Sequence, residues 1–185
     1  MRLSNRFATA LLAIGCAGSA AAAPVVYEGS LQSGVSVTGQ VGGFGWSDEN
    51  ATQVDFWSFS GLAGAVVDIG AVRLAPDLDP VFSLYAGTTQ ADGSAFRSEA
   101  DWGGLRFLTY ADDEIPAAGP GGDPALTAFV LPQTGSYTIA IGGFASIDLG
   151  PYGYRLDYAV RPLPEPAPAL LLALGLAGLL LRRKA

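Results

Sequence analysis

The chain has no histidine, and its single cysteine, Cys16, lies close to the amino terminus. No disulfide can therefore form within the body of the protein, and a zinc cluster of cysteine and histidine is excluded. Nucleophilic systems built on a histidine base, Ser-His-Asp or Cys-His, are excluded as well. Positive charge is also scarce. Five of the ten basic residues, Arg2, Arg6, Arg182, Arg183 and Lys184, sit at the two ends. Setting these and Glu165 aside leaves five bases against sixteen acids, a net charge of −11 for the body. Such a surface repels phosphate backbones, so no nucleic-acid partner is expected, whereas divalent cations are attracted. Paired carboxylates for glycoside hydrolysis are numerous, but no pocket motif accompanies them, and no enzymatic activity is expected.

Long apolar runs occur only at the ends. Residues 1–23 read as a secretory leader: Arg2 and Arg6, then the apolar stretch Phe7 to Ile14, then small-residue cleavage sites at Ala20 to Ala23 before Pro24. A second reading stays open, because Ala13-Ile14-Gly15-Cys16 approaches a lipobox and would make Cys16 a lipidated first residue. At the other end, Pro164-Glu165-Pro166 is stiff and polar, Ala167 to Leu181 carries no charge, and Arg182-Arg183-Lys184 is basic. An apolar run of about 15 residues gives a helix of roughly 22 Å, short against a hydrocarbon core of about 30 Å. Local thinning and the long Arg and Lys stems close that gap. The basic end is expected to stay cytoplasmic, with the body outside; the competing reading is a buried C-terminal helix of a soluble domain.

Between the ends, residues 24–160 read as one all-β domain. Short β-like runs alternate with Gly, Pro and Asp clusters: Val25 to Leu31, Val35 to Val41, Val54 to Phe59, Ala65 to Leu74, Val81 to Tyr85, Leu105 to Tyr110, Leu126 to Leu131, Ser136 to Gly142 and Tyr152 to Val160. In the last two, Tyr137, Ile139 and Ile141 share one face, as do Tyr152, Tyr154, Leu156, Tyr158 and Val160, which marks a sheet with one buried face. Eight or nine strands without a long amphipathic helix predict a jelly-roll-like antiparallel β-sandwich. Gly87 to Gly104 reads as a long polar loop.

Two sets of loop residues carry the candidate chemistry. Asp77, Asp79, Asp112, Asp113, Glu114 and Asp123 are either solvated turn residues or ligands for a calcium ion, which takes six to eight oxygens. Trp46 and Trp102, in glycine-bearing loops, are either packed or exposed for stacking on extracellular polysaccharide, while Trp57 in a strand belongs to the core. Asn50-Ala51-Thr52 matches an N-glycosylation acceptor that is expected to be unused.

The order of motif, apolar helix and basic cluster over Pro164 to Ala185 resembles the PEP-CTERM sorting tail of exported bacterial proteins. The resemblance implies processing near Pro164-Glu165-Pro166 by an exosortase, passage through an inner-membrane intermediate, and release or transfer to the cell surface or extracellular matrix. The body resembles the bacterial pre-peptidase C-terminal domain over roughly Val54 to Val160. The segments that carry this are Asp55-Phe56-Trp57-Ser58-Phe59, Asp77 to Tyr85, Leu108 to Glu114 and Asp123 to Ile141 with its Pro132-Gln133-Thr134-Gly135-Ser136-Tyr137 turn. This second resemblance implies an accessory module, some of whose relatives bind calcium through these loops. The insertion Ala117 to Gly122 departs from it and separates Asp123 from the Asp112 cluster. The expected role is structural or adhesive at the bacterial surface; the alternative is a carbohydrate-binding module associated with exopolysaccharide.

Overall fold

In the computed structural model, which describes residues 23–161, nine strands form two facing sheets. They are β1 (Tyr27–Ser30), β2 (Val37–Val41), β3 (Asp55–Gly61), β4 (Val66–Arg73), β5 (Pro80–Ala86), β6 (Arg106–Ala111), β7 (Ala125–Val130), β8 (Gly135–Gly143) and β9 (Tyr152–Arg161). The leader with Cys16, the Pro164-Glu165-Pro166 motif, the apolar run to Leu181 and the basic end at 182–184 lie outside the described residues. Among the described residues no helix is long and apolar enough to cross a membrane.

One sheet has the order β1-β3-β8-β5-β6 and the other β2-β9-β4-β7. Every pairing is antiparallel except β1 with β3. The alternating strands meet between the sheets. Tyr137, Ile139 and Ile141 of β8 face Tyr154, Leu156 and Tyr158 of β9 in one cluster with Phe59, Val67, Ile69, Phe82 and Leu84. Phe59 lies against both Tyr137 and Tyr158, with ring centroids 5.1 and 4.6 Å away. The fully buried aromatic and branched side chains here supply the apolar area that holds the sheets together.

The expectation of one buried face fails for the five-stranded sheet. All seven residues of β5 are buried, as are Tyr137 to Gly143 of β8. The cause is the segment after β5, which is not a solvated polar loop. It folds back over the outer face of the sheet and places Phe96 and Trp102 on Phe56, Tyr85, Ala140 and Leu105, forming a second cluster. Its 3-10 turn at Gly93–Ala95 is capped by the Asp92 side chain, which accepts from Ser94 N. A similar short turn at Ala51–Gln53 is capped by Asn50.

The connections β2–β3, β4–β5, β6–β7 and β8–β9 share one end of the sandwich and are laced together. Phe144 N donates to Asp79 O, Ile147 N to Asp77 O, and Gly43 N to Leu149 O. Strand β9 runs from that end to the other, where Arg161 binds Asp68 in a bidentate ion pair.

Candidate functional site

The acidic residues gather at the laced end, but only three of them converge. Leu78, fully buried, plugs the turn between β4 and β5 into the core and fixes the direction of its neighbour Asp79. Asp79 is only 5% exposed, and its backbone is held on both sides by the β8–β9 loop: its N–H donates to Ser146 Oγ at 3.0 Å and its carbonyl accepts from Phe144 N at 2.9 Å. Asp112 and Asp113 come in directly after β6, whose antiparallel pairing sets Ala111 beside Phe82 of β5. One carboxylate oxygen each from Asp79, Asp112 and Asp113 lie within 4.8 Å of one another.

Burial and like charge act together here. Asp112 is pushed up to about 6, first by desolvation, then by the negative charges of Asp113, Asp79 and Glu114. Asp79 is raised by burial and by Asp113, with Arg73 partly opposing. Asp79 Oδ1 and Asp112 Oδ1 are buried without a hydrogen-bond partner. An ionised oxygen in that state is costly unless it is neutralised. Gly121 closes the cluster. It has φ +60°, and a Cβ there would collide with Asp79 Oδ1 and Asp113 Oδ1, so glycine alone leaves the space open.

The other three candidates are engaged elsewhere or stand apart. Glu114 Oε2 accepts from Asp112 N at 3.0 Å and Ala125 N at 2.9 Å, stapling the ends of the β6–β7 connection. Asp123 is taken up by Arg73, whose Nε lies 2.6 Å from its Oδ1, with both side chains 6% exposed. Asp77 is exposed and enters the lacing through its carbonyl. The six-residue set read from the sequence thus narrows to Asp79, Asp112 and Asp113. Arg73 was not singled out in the sequence, yet it organises this end. Besides Asp123 it binds the carbonyls of Pro120, at 2.7 Å, and Gly122, which orders the 117–122 insertion over the cluster. Its only signal in the sequence was rarity, as one of five bases in an acidic body.

Of the two readings left open for Trp46 and Trp102, the structure has the packed one. Trp46 is 4% exposed, donates from Nε1 to Ser83 Oγ at 2.7 Å, and packs against Tyr110 and Phe144. Trp102 is 5% exposed and wedged among Phe56, Phe96 and Tyr85. Neither presents a ring face to a sugar. Trp57, as expected, is core.

No family model and no curated protein matches the chain. Several solved structures match the chain, among them these three. One is CorA, a surface-associated copper-binding protein of Methylomicrobium album BG8, at 16% identity and TM-score 0.59, covering 76% of this chain and all of that one. Another is PliG, a periplasmic lysozyme inhibitor of Aeromonas hydrophila, at 12% identity and TM-score 0.45, over 71% and 94%. The third is the pre-peptidase C-terminal domain of a Bacillus anthracis collagenase, at 13% identity and TM-score 0.41, over 72% and 96%. At these identities the likeness to CorA is one of fold: the chain is similar to known β-sandwich proteins.

Proposed function

We propose that this is an exported, non-enzymatic bacterial surface or matrix protein with a structural or adhesive role, whose loop-bearing end is clamped by calcium. The observation that carries the clamp is the pair of buried, unpartnered oxygens, Asp79 Oδ1 and Asp112 Oδ1, in a trio that brings one carboxylate oxygen each within 4.8 Å of one another. Calcium binds oxygen at 2.3–2.6 Å, so two oxygens on one ion lie at most about 5 Å apart. The trio meets that bound as it stands. Three carboxylates supply up to six oxygens, and water or backbone carbonyls complete the shell. One ion held this way ties the β4–β5 and β6–β7 connections together, and the β8–β9 connection is joined to them through the Ser146 and Phe144 bonds to the Asp79 backbone.

The donor set favours a hard cation. CorA is described as copper-binding, but copper prefers imidazole and sulfur ligands. This sequence has no histidine, and its one cysteine lies outside the domain. Export and sorting rest on the leader and on the tail after Arg161. The tail continues from the end of the sandwich opposite the clamp, so an anchored intermediate directs the acidic end away from the membrane.

The test is a calcium titration of the exported, processed protein after chelation, followed by thermal unfolding. A hundredfold excess over Kd is worth about 2.7 kcal/mol, a rise in Tm of roughly 10 °C for a domain of this size. An unchanged Tm removes the clamp. For sorting, the mass of the surface form is expected to show loss of the chain after the Pro164-Glu165-Pro166 region; a surface form that retains Arg182 to Ala185 removes the exosortase step.

A further inference from the structure

The two ends of the sandwich differ in charge. Every connection at the laced end carries acid and none carries a base. At the other end the turns 31–36, 62–65 and 131–134 carry no charged residue, and the β5–β6 segment, which does, departs over the outer face of its sheet. The three uncharged turns are fastened to one another and to β9. Ala63 N donates to Thr134 Oγ1 at 3.0 Å and Gly64 N to Leu131 O at 2.8 Å. Gly34 N donates to Tyr158 O at 2.8 Å and Val160 N to Ser33 Oγ at 2.9 Å. Arg161 and Asp68, at the border of this surface, offset each other as an ion pair.

Apolar side chains stand on it. Leu62 is 68% exposed and Val130 56%, and Val35 and Val160 are exposed as well. A groove of about 540 Å³ opens between Leu62, Leu131 and Val160, and its lining carries no charge. Ile147 and Leu149 are exposed at the laced end too, but they flank Asp148. Single exposed apolar residues need no explanation, whereas a group of them in an uncharged surface marks a place of contact. Strand β9 finishes at this surface, and only Pro162 to Pro166 separate Arg161 from the uncharged run that starts at Ala167. Fully extended, that linker reaches about 20 Å, of the same order as the radius of gyration of such a domain, about 14 Å.

We propose that this uncharged end is the face by which the tethered domain lies on the bilayer, with Val35, Leu62 and Val130 at the headgroup boundary. The inference rests on the membrane-anchored intermediate proposed above. Three features select a lipid surface as the partner. The short linker keeps this end close to the membrane at high local concentration. The surface holds no charge that would have to leave water, so its apolar side chains are buried at the interface without that cost. Anionic headgroups repel the acidic end and add to the same orientation. A domain held this way keeps Pro164-Glu165-Pro166 at the membrane surface, within reach of an enzyme embedded there.

The test is fluorescence quenching on the exported chain with its tail uncut and Cys16→Ser, reconstituted in vesicles of phosphatidylethanolamine and phosphatidylglycerol. A polarity-sensitive dye is attached through Leu62→Cys or, at the laced end, through Leu149→Cys, and the quencher is a nitroxide on the lipid headgroup. Quenching severalfold stronger for the Leu62→Cys label than for the Leu149→Cys label, with blue-shifted emission, supports the assignment. Val35→Asp with Val130→Asp, both at exposed positions, is expected to bring the Leu62→Cys signal down toward that of Leu149→Cys without moving Tm. A Leu62→Cys signal unmoved by this pair shows that the linker alone holds the end near the lipid, and overturns the docking face. Equal quenching of the two labels in chain that floats with the vesicles also overturns the face and leaves the anchor standing. Chain that fails to float with the vesicles removes the anchored intermediate and the face with it.

Discussion

The indole N–H of Trp57 donates to the hydroxyl of Tyr154 at 2.7 Å, and that hydroxyl donates in turn to Asp55 Oδ2 at 2.6 Å. The chain of bonds crosses from one sheet to the other at the edge of the core. It also explains how a strand of alternating tyrosines tolerates burial: the ring of Tyr154 is fully buried, and its polar atom is satisfied twice. Tyr154→Phe keeps the ring and removes the relay, leaving the Trp57 N–H without an acceptor. The expected cost is about 1–3 kcal/mol, read as a lower urea midpoint with an unchanged m-value. A midpoint equal to that of the parent would mean that water replaces the hydroxyl and the relay contributes nothing.

Asp55 gives this relay a pH dependence. Burial raises its carboxyl above 3.8, the hydrogen bond from Tyr154 opposes, and the charge of Glu28 adds to the rise. A carboxyl raised on folding contributes stability that is fully present below its unfolded value and is lost as pH climbs through the folded one. Asp68 runs the other way, lowered by its hydrogen bond with Arg161, so its contribution disappears in more acidic solution. Asp55→Asn keeps an acceptor for Tyr154 and abolishes the titration. The variant is expected to be stabilised relative to the parent at pH 7 more than at pH 4, in urea melts run at both. An equal difference at the two pH values would show that the carboxyl is not strained by burial.

Much of this arrangement could be read from periodicity, and the exceptions have physical causes. The faces of β8 and β9 were visible because Tyr137, Ile139 and Ile141, and Tyr152 through Tyr158, repeat every second residue, and the same repeat located the strands to within a residue or two. The burial of Phe96 and Trp102 was not visible, because the segment carrying them has no repeat; they are buried by folding back on a sheet whose outer face was assumed to be wet. The parallel pairing of β1 with β3 likewise depends on where the chain returns, which no local pattern encodes. For the candidate site, the sequence named six acids, of which three converge. Asp112 and Asp113 are neighbours of Glu114, and Asp79 of Asp77, so composition cannot separate them. Separation comes from Leu78 and Ser146, which aim Asp79 inward, and from Arg73, which claims Asp123.

Asp112→Asn distinguishes a cation site from a set of solvated turns through the sign of its effect. In chelator the substitution removes one of three mutually repelling carboxylates and is expected to leave Tm unchanged or raise it. In calcium the same change removes a ligand, so the variant is expected to lose most of the calcium-dependent rise, with an affinity reduced at least tenfold. Leu131→Ala, a buried side chain beside Ala65 at the opposite end of the sandwich, serves as the control: it is expected to lower Tm equally with and without calcium. If Asp112→Asn behaves like this control, the trio holds no ion.

The last prediction concerns Arg73 and Asp123, because their ion pair sets the ceiling of the cluster. Both side chains are 6% exposed, so the pair has left water and is held by its own attraction and by the carbonyls of Pro120 and Gly122. Removing one partner of such a pair costs about 3–5 kcal/mol, whereas replacing both by apolar groups of similar volume is often neutral. Arg73→Met is therefore expected to be strongly destabilising, and Arg73→Met with Asp123→Leu to recover much of the loss in chelator. Calcium affinity is expected to separate from stability in the double variant. The freed carbonyls no longer hold Gly121 and Gly122 over Asp79 and Asp113, so binding weakens although the fold is restored. A double variant that recovers both stability and affinity would show that Arg73 braces the insertion without positioning the cluster.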